Sequence, residues 1–290
     1  MNYQIENDFL KLEISDMGAE LKSIQKDGVE YLWSGDKKYW AGQSPVLFPF
    51  VGRLTNGKYY LNGKEYEMNP HGFARKQVYS VVEKTDDSIL FELTDNAETL
   101  KSYPYHFSLR LEYELVGNEI KITYRVYNLS EETMYFGIGG HPGFELPFDE
   151  GLDFTDYYLE FGGKSYPESM GLSPTAFLSS VNERFPLEDD RICRLRHDLF
   201  DNDAIVLQHM SDEVVIKSDK GNRKVKVSYP NFPYLGIWHP SKTDAPFVCI
   251  EPWVTLPSRQ DVVEEFRYKS DMIRLEVDDV YENTWSITIE

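Results

Sequence analysis

Between Phe107 and Leu115 every odd position is apolar and every even position polar, and after Gly117-Asn118 the pattern resumes at Ile120, Ile122, Tyr124 and Val126. A period of two puts all the apolar side chains of a strand on one face. The segment is therefore a β-hairpin with one buried side, closed by a Gly-Asn turn. Asp27-Gly28 between Leu21–Ile24 and Tyr31–Trp33, and Asn62-Gly63 between Tyr59–Leu61 and Tyr66–Met68, carry the same hairpin signal. Further strands are expected at Val214–Lys217, Val225–Tyr229, Tyr234–Trp238, Phe247–Ile250 and Trp285–Ile289. Helical signals are few: a short helix over Ala97–Tyr103 after Asp95-Asn96, and a short turn over Asp189–Arg194. The 20 Tyr, 17 Phe and 5 Trp suit a β-rich core with aromatic ligand-facing surfaces. No solenoid or propeller repeat is visible. The irregular stretch from about Phe148 to Pro186 is the one plausible boundary, and a long excursion on a single sandwich explains it as well as a linker. The expectation is one all-β domain over residues 1–290, an antiparallel two-sheet sandwich.

Lys and Arg total 30 against 49 Asp and Glu, a formal net charge of −19. That excess repels phosphate backbones and anionic membranes, so nucleic acid and membrane are not expected partners, while a pocket with its own arginines could still take an anionic small molecule. The acid is spread along the chain and reads as a solvated surface. Cys193 and Cys249 are the two cysteines and have no CxxC-type spacing. Cys249, within Phe247-Val248-Cys249-Ile250, reads as a small core residue. No segment approaches the roughly 20 apolar residues that span a bilayer, and the first residues lack a leader pattern. The expected location is the cytoplasm.

Three punctuated segments carry the chemistry: Pro70-His71-Gly72-Phe73-Ala74-Arg75, Gly139-Gly140-His141-Pro142-Gly143-Phe144 and Val248-Cys249-Ile250-Glu251-Pro252-Trp253. Two set a histidine beside glycine, where backbone can bend and a ligand can come close. The third ends an apolar run on a lone carboxylate. Two imidazoles and a carboxylate can remove a proton from one oxygen while delivering one to another, which is what opening and closing a sugar ring requires. An imidazole with a pKa near ~6.5 is a natural reversible acid at neutral pH. Apolar neighbours such as Val248, Ile250 and Trp253 would raise the pKa of Glu251 toward a useful range for a base.

Together with Phe48-Pro49-Phe50-Val51-Gly52-Arg53-Leu54, these segments resemble the aldose 1-epimerase (galactose mutarotase) family, and within it the branch of LacX-type proteins. The likeness runs from the first strands to about Ser258. It implies a large β-sandwich of the galactose mutarotase-like type, with a sugar bound in an open cleft and anomers exchanged without a cofactor. By position, Glu251 matches the family's catalytic carboxylate, His141 the histidine that handles the ring oxygen, His71 the second active-site histidine and Arg53 the sugar-binding arginine. Asp203 is chosen as the binding aspartate, with Asp201 its competitor. Gly52 and Phe73 stand where mutarotases proper often carry an asparagine and a second glycine.

Plainer readings stand beside these. A histidine near a turn is more often a structural hydrogen-bonder than a catalyst. Glu251 before Pro252 could end an edge strand, and Arg53 and Arg75 could be ordinary ion-pair partners. His106, His197 and His209 lack matching partners and are assigned to structure. His239 could be core, and Trp238 could be core or stack on a sugar face. His141 and Glu145 have a suggestive spacing, but Pro142 and Gly143 forbid a helix there and no third ligand is visible, so no metal is expected. The first rival is a hexose-6-phosphate 1-epimerase, in which Arg75 would meet the phosphate. The second is a carbohydrate-binding protein without activity on the same fold.

Overall fold

The long hairpin forms as the alternation requires. In the computed structural model, which describes residues 1–179 and 181–290, Phe107–Val116 pairs antiparallel with Glu119–Asn128, with Val116 opposite Glu119 across a positive-φ Gly117. The odd residues Leu109, Leu111 and Tyr113 are buried, while Glu114 is exposed. These strands lie inside a nine-stranded antiparallel sheet, which runs Ile192–Arg194, Tyr158–Phe161, Glu213–Lys217, Val225–Ser228, Val280–Ile289, Glu119–Asn128, Phe107–Val116, Ser88–Thr94 and Ser80–Lys84. A second sheet of eight strands includes Glu168–Ser169, Ile205–Gln208, Tyr234–Trp238, Phe247–Trp253, Gly139–Gly140 and Val46–Leu47 in that order, with Gly143–Glu145 also pairing to Phe247–Trp253. Leu109, Leu111, Val126 and Ile287 from the first sheet share one core with Leu207, Leu235, Val248 and Ile250 from the second. Each such aliphatic side chain contributes roughly 1.5–3 kcal/mol by leaving water. The result is a β-sandwich, with a four-stranded antiparallel sheet over Asn2–Glu6, Lys11–Ser15, Leu21–Lys26 and Val29–Glu30 beside it.

Several boundaries differ from the sequence reading. The Asp27-Gly28 turn is present, but its return strand is Val29–Glu30 and not Tyr31–Trp33, because Leu32 instead bridges to Phe144 of the second sheet. Asp189 and Asp190 adopt positive φ in a tight turn that leads into the strand Ile192–Arg194. The expected helix shrinks to Thr99–Ser102. The stretch after Phe148 is woven into both sheets, since Tyr158–Phe161 joins the first and Glu168–Ser169 the second. The strand Phe247–Trp253 continues through Glu251 and Pro252, so the carboxylate sits within a central strand and not at the end of an edge strand.

Two glycines let the second sheet carry a site. A Cβ on Gly140 would lie 2.7 Å from the Trp285 ring and 3.1 Å from the Tyr124 hydroxyl, so only glycine lets this strand press so closely on the first sheet. A Cβ on Gly72, which has φ +70°, would lie 2.1 Å from the Phe48 carbonyl oxygen. Glycine there allows the loop bearing His71 to lie against the Phe48–Leu54 segment. No helix among the described residues is long and apolar enough to cross a membrane.

Candidate active site

Phe247–Trp253 presents its two faces to different surroundings. Val248 and Ile250 point into the main core. Cys249 packs beside Trp33 and Phe247, and Trp253 packs beside Leu47 and Val206. Glu251 shares the face of Cys249 and Trp253 by the alternation of the strand. Across the ladder Glu251 is opposite Gly236, which has no side chain to fill the space in front of the carboxylate. From the other side, the bend between Gly139–Gly140 and Gly143–Glu145 holds His141 over the same spot. Its Nε2 lies 3.2 Å from Glu251 Oε2.

This pair is dry. Glu251 is 1% exposed and His141 8%. Burial pushes the Glu251 carboxyl well above the usual carboxylate range; the nearby Trp253 indole N–H pulls it back somewhat, and the Asp203 carboxylate raises it further. Burial likewise drives His141 down to about 3, and Arg75 adds to that effect. Both shifts favour the neutral forms, in which the two facing atoms, 3.2 Å apart, have one titratable proton between them. Trp40 stacks on the His141 ring at 4.8 Å between centroids, and Trp238 meets it edge-on at 5.5 Å. Glu251 Oε2, His141 Nδ1 and Trp253 Nε1 are buried without a full hydrogen bond. Buried polar atoms left free in this way call for a partner, which a polar ligand in the cleft can supply.

His71 approaches from a third direction, its ring centroid 5.9 Å from that of His141. The residue has φ +63° and is fixed by two contacts with Gly52. Its backbone N–H donates to the Gly52 carbonyl at 2.8 Å, and its Nδ1 accepts from the Gly52 N–H at 3.2 Å. That second bond leaves Nε2 to carry the proton in the neutral ring. Burial drives its pKa well below 6.5, with His141, Arg75 and Arg53 adding to the shift. The glycine at position 52 thus serves as the backbone clamp of His71.

These groups open onto a cleft of about 220 Å³, which brings together all seven residues singled out in the sequence: Arg53, His71, Arg75, His141, Asp203, Trp238 and Glu251. Asp203 lines it and Asp201 does not. Asp203 has φ +80°, and its Oδ1 accepts from the Ala204 N–H at 2.8 Å. The Arg75 Nη2 donates to the Pro70 carbonyl at 2.9 Å, while its Nε is buried without a partner. Arg53 and Arg75 are not the ion-pair residues they could have been. Among the described residues, every other arginine except Arg267 meets a carboxylate within 4.0 Å.

Trp40, Leu172, Ala176 and Pro257 also line the cleft, and no local signal points to them because none belongs to a periodic strand or a compact motif. His239 is core: fully enclosed, its Nε2 lies 3.1 Å from Nδ1 of His197, which therefore has a partner after all. His106 pairs with Asp95 at 2.9 Å and His209 approaches Glu168 at 3.8 Å, both at the surface. Glu145, weighed with His141 as a metal ligand, lies outside the cleft lining and accepts from the Ser34 N–H. Cys249 is the group that comes near instead. The ligand atoms of His141, Cys249 and Glu251 all lie within 4.8 Å of one another.

Comparison with known proteins gives a consistent result. A family model described as aldose 1-epimerase matches residues 1–288. The plasmid form of protein LacX from Lactococcus lactis subsp. lactis is 34% identical over 301 residues, covering 100% of this chain and 99% of the relative. A galactose mutarotase related enzyme from Lactobacillus acidophilus superimposes with a TM-score of 0.96 at 36% identity, covering 100% of this chain and 97% of that one. A galactose mutarotase-like protein from Lactobacillus casei gives 0.95 at 30% identity, covering 100% of each chain.

Proposed function

The chain belongs to the aldose 1-epimerase family, and from that premise we propose that it interconverts the α and β anomers of a hexose by acid–base ring opening and closure, acting in the cytoplasm as a single domain without a cofactor. The observation that carries this reading is the enclosed Glu251–His141 pair, 3.2 Å apart at the wall of a cleft also lined by His71 and two free arginines. With one proton between them, the two groups reach the required state by passing it from Glu251 to His141. Glu251 then takes the proton of the anomeric hydroxyl while His141 gives its own to the ring oxygen. The C1–O5 bond breaks, the aldehyde turns about C1–C2, and closure on the other face returns both protons to their donors. No proton or electron is gained or lost overall. Positioned acid–base help of this kind is worth roughly 10²–10⁴-fold. His71 through Nε2, Arg53 and Asp203 hold ring hydroxyls, and Trp238 offers an apolar edge.

A second reading has its own support. The unpaired Arg53 and Arg75 in a strongly acidic chain suit a hexose 6-phosphate, whose oxygens would accept from the free Arg75 Nε. One experiment separates the readings: anomer exchange followed by polarimetry or NMR, with and without protein, over free hexoses and their 6-phosphates. Acceleration with free hexoses upholds the first, acceleration with the phosphates alone the second. Binding with no acceleration at all would leave a carbohydrate-binding protein and sink both.

A further inference from the structure

Cys249 plays no part in the proton transfers above, yet its sulfur sits beside both groups that do. Cys249 and Glu251 are two residues apart on one strand and share a face. Gly143 on one side of Cys249, and Gly236 beside Glu251, add no side chain, while Trp238 is the partner of Cys249 on its other side. The three ligand atoms lie within 4.8 Å of one another, and the His141–Glu251 distance is 3.2 Å. Tetrahedral zinc with one sulfur, one nitrogen and one oxygen ligand has edges of roughly 3.3–3.6 Å, given bond lengths of about 2.0–2.3 Å. Closing the set from 4.8 Å to these edges requires the side chains to rotate on binding.

We propose that His141, Cys249 and Glu251 form a binding site for one thiophilic divalent cation of the zinc and cadmium class, and that its occupation shuts the acid–base pair. Three further observations favour it. Glu251 Oε2 is buried, free of a full hydrogen bond and directed at this spot. The donor set is thiolate, imidazole and carboxylate, a mixture that selects borderline and soft ions over magnesium or calcium. Charge balances as well: on binding, Cys249 and Glu251 each release a proton, and the dication with two anionic ligands places no net charge in a dry site. His141 and Glu251 line the cleft, so a fourth ligand, water or a sugar hydroxyl, would enter from that side. The metal inhibits because it takes the lone pair of His141 and the carboxylate of Glu251 that proton transfer needs.

The test uses the full-length protein, stripped of metal and titrated with Co²⁺ in the absence of sugar. One equivalent should give an intense near-ultraviolet thiolate-to-cobalt band, displaced by one equivalent of Zn²⁺ with release of protons. Cys249→Ser and Cys249→Ala should both lose the band and weaken Zn²⁺ binding by at least about 10²-fold, the upper end of what loss of a mere supporting contact costs. Their anomer exchange in metal-free buffer should stay unchanged but become insensitive to micromolar Zn²⁺. Cys193→Ser should keep the band. A wild-type protein that shows no band, a band that survives in either Cys249 variant, or a band lost with Cys193→Ser overturns the site. Because the band is read without sugar, a protein that binds Co²⁺ through Cys249 but exchanges no anomers counts against the proposed activity and not against the site.

Discussion

At the scale of single residues the site is a compromise between function and stability. Glu251 has its pKa raised by burial, so between the unfolded value near ~4.5 and the higher folded one the unfolded chain sheds a proton that the folded chain keeps. Stability associated with this residue is therefore full below the unfolded pKa and is lost as pH rises. Glu251→Gln removes that penalty. We expect it to lower turnover by more than about 10²-fold, as loss of a general base should, while raising Tm relative to wild type at pH 8 and leaving Tm nearly equal at pH 4. Polarimetry on a folded variant with near-normal turnover would remove Glu251 from the mechanism. The same electrostatics governs the pH profile. With His141 driven down to about 3 and Glu251 driven up, the singly protonated pair is the main species across mid-range pH. The profile of kcat should show no limb near ~6.5, where an ordinary imidazole titrates. A sigmoidal step at that pH, lost in His141→Asn, would mean that His141 is exposed to solvent in the working enzyme.

At the scale of elements, the loop at His71 is where local backbone form sets chemistry. His71 has φ +63° and Gly72 φ +70°, two left-handed residues in succession, with the Phe48 carbonyl filling the place of a Cβ on Gly72. Gly72→Ala should cost on the order of 1–3 kcal/mol in strain, or more if the Phe48 segment is displaced. It should also raise KM through movement of His71, while a change at exposed Gly63, where a Cβ meets nothing within 4 Å, costs only the strain of its own turn. Denaturant melts together with KM for the two variants check this; equal KM values would show that His71 does not grip substrate. The loop also explains what could be read in advance. His71, His141 and Glu251 were legible because each sits in a compact motif of glycine, proline and apolar residues. The long ladder was legible because alternation over ten residues leaves one answer. Trp40 and Ala176 were not, since they reach the cleft by tertiary packing alone. Cys249 read as core, which it is by burial; that its sulfur also faces His141 depends on a strand pairing, Gly143 opposite Cys249, that no local pattern encodes. The return strand is Val29–Glu30 rather than Tyr31–Trp33 for a like reason, because the bridge of Leu32 to Phe144 competes with the hairpin.

At the scale of the whole molecule, the net charge of −19 and the two free arginines of the cleft act over different distances. The diffuse negative field is felt by an approaching anion well outside the site, and salt screens it over a Debye length of about 10 Å at 0.1 M. A contact made by the buried Nε of Arg75 with a bound group is shielded from solvent, so salt weakens it less. For a free hexose neither effect applies, and kcat/KM should be flat as ionic strength rises from about 0.01 to 0.2 M. For a hexose 6-phosphate the long-range repulsion is lost first, so its kcat/KM, or its affinity as a competitive inhibitor, should rise over the lower part of that range. Replacing Arg75 with Ala should then weaken the phosphate ester by roughly 10-fold or more, the worth of a charge-assisted hydrogen bond, with little effect on the free sugar. Titrations of both ligands against wild type and Arg75→Ala at several salt concentrations read all of this in one set of curves. Equal losses for free and phosphorylated sugar would assign Arg75 to ring hydroxyls. A phosphate ester whose affinity falls steadily with salt from the lowest concentration would mean that the cleft's own positive charge, and not the acidic surface, dominates its approach.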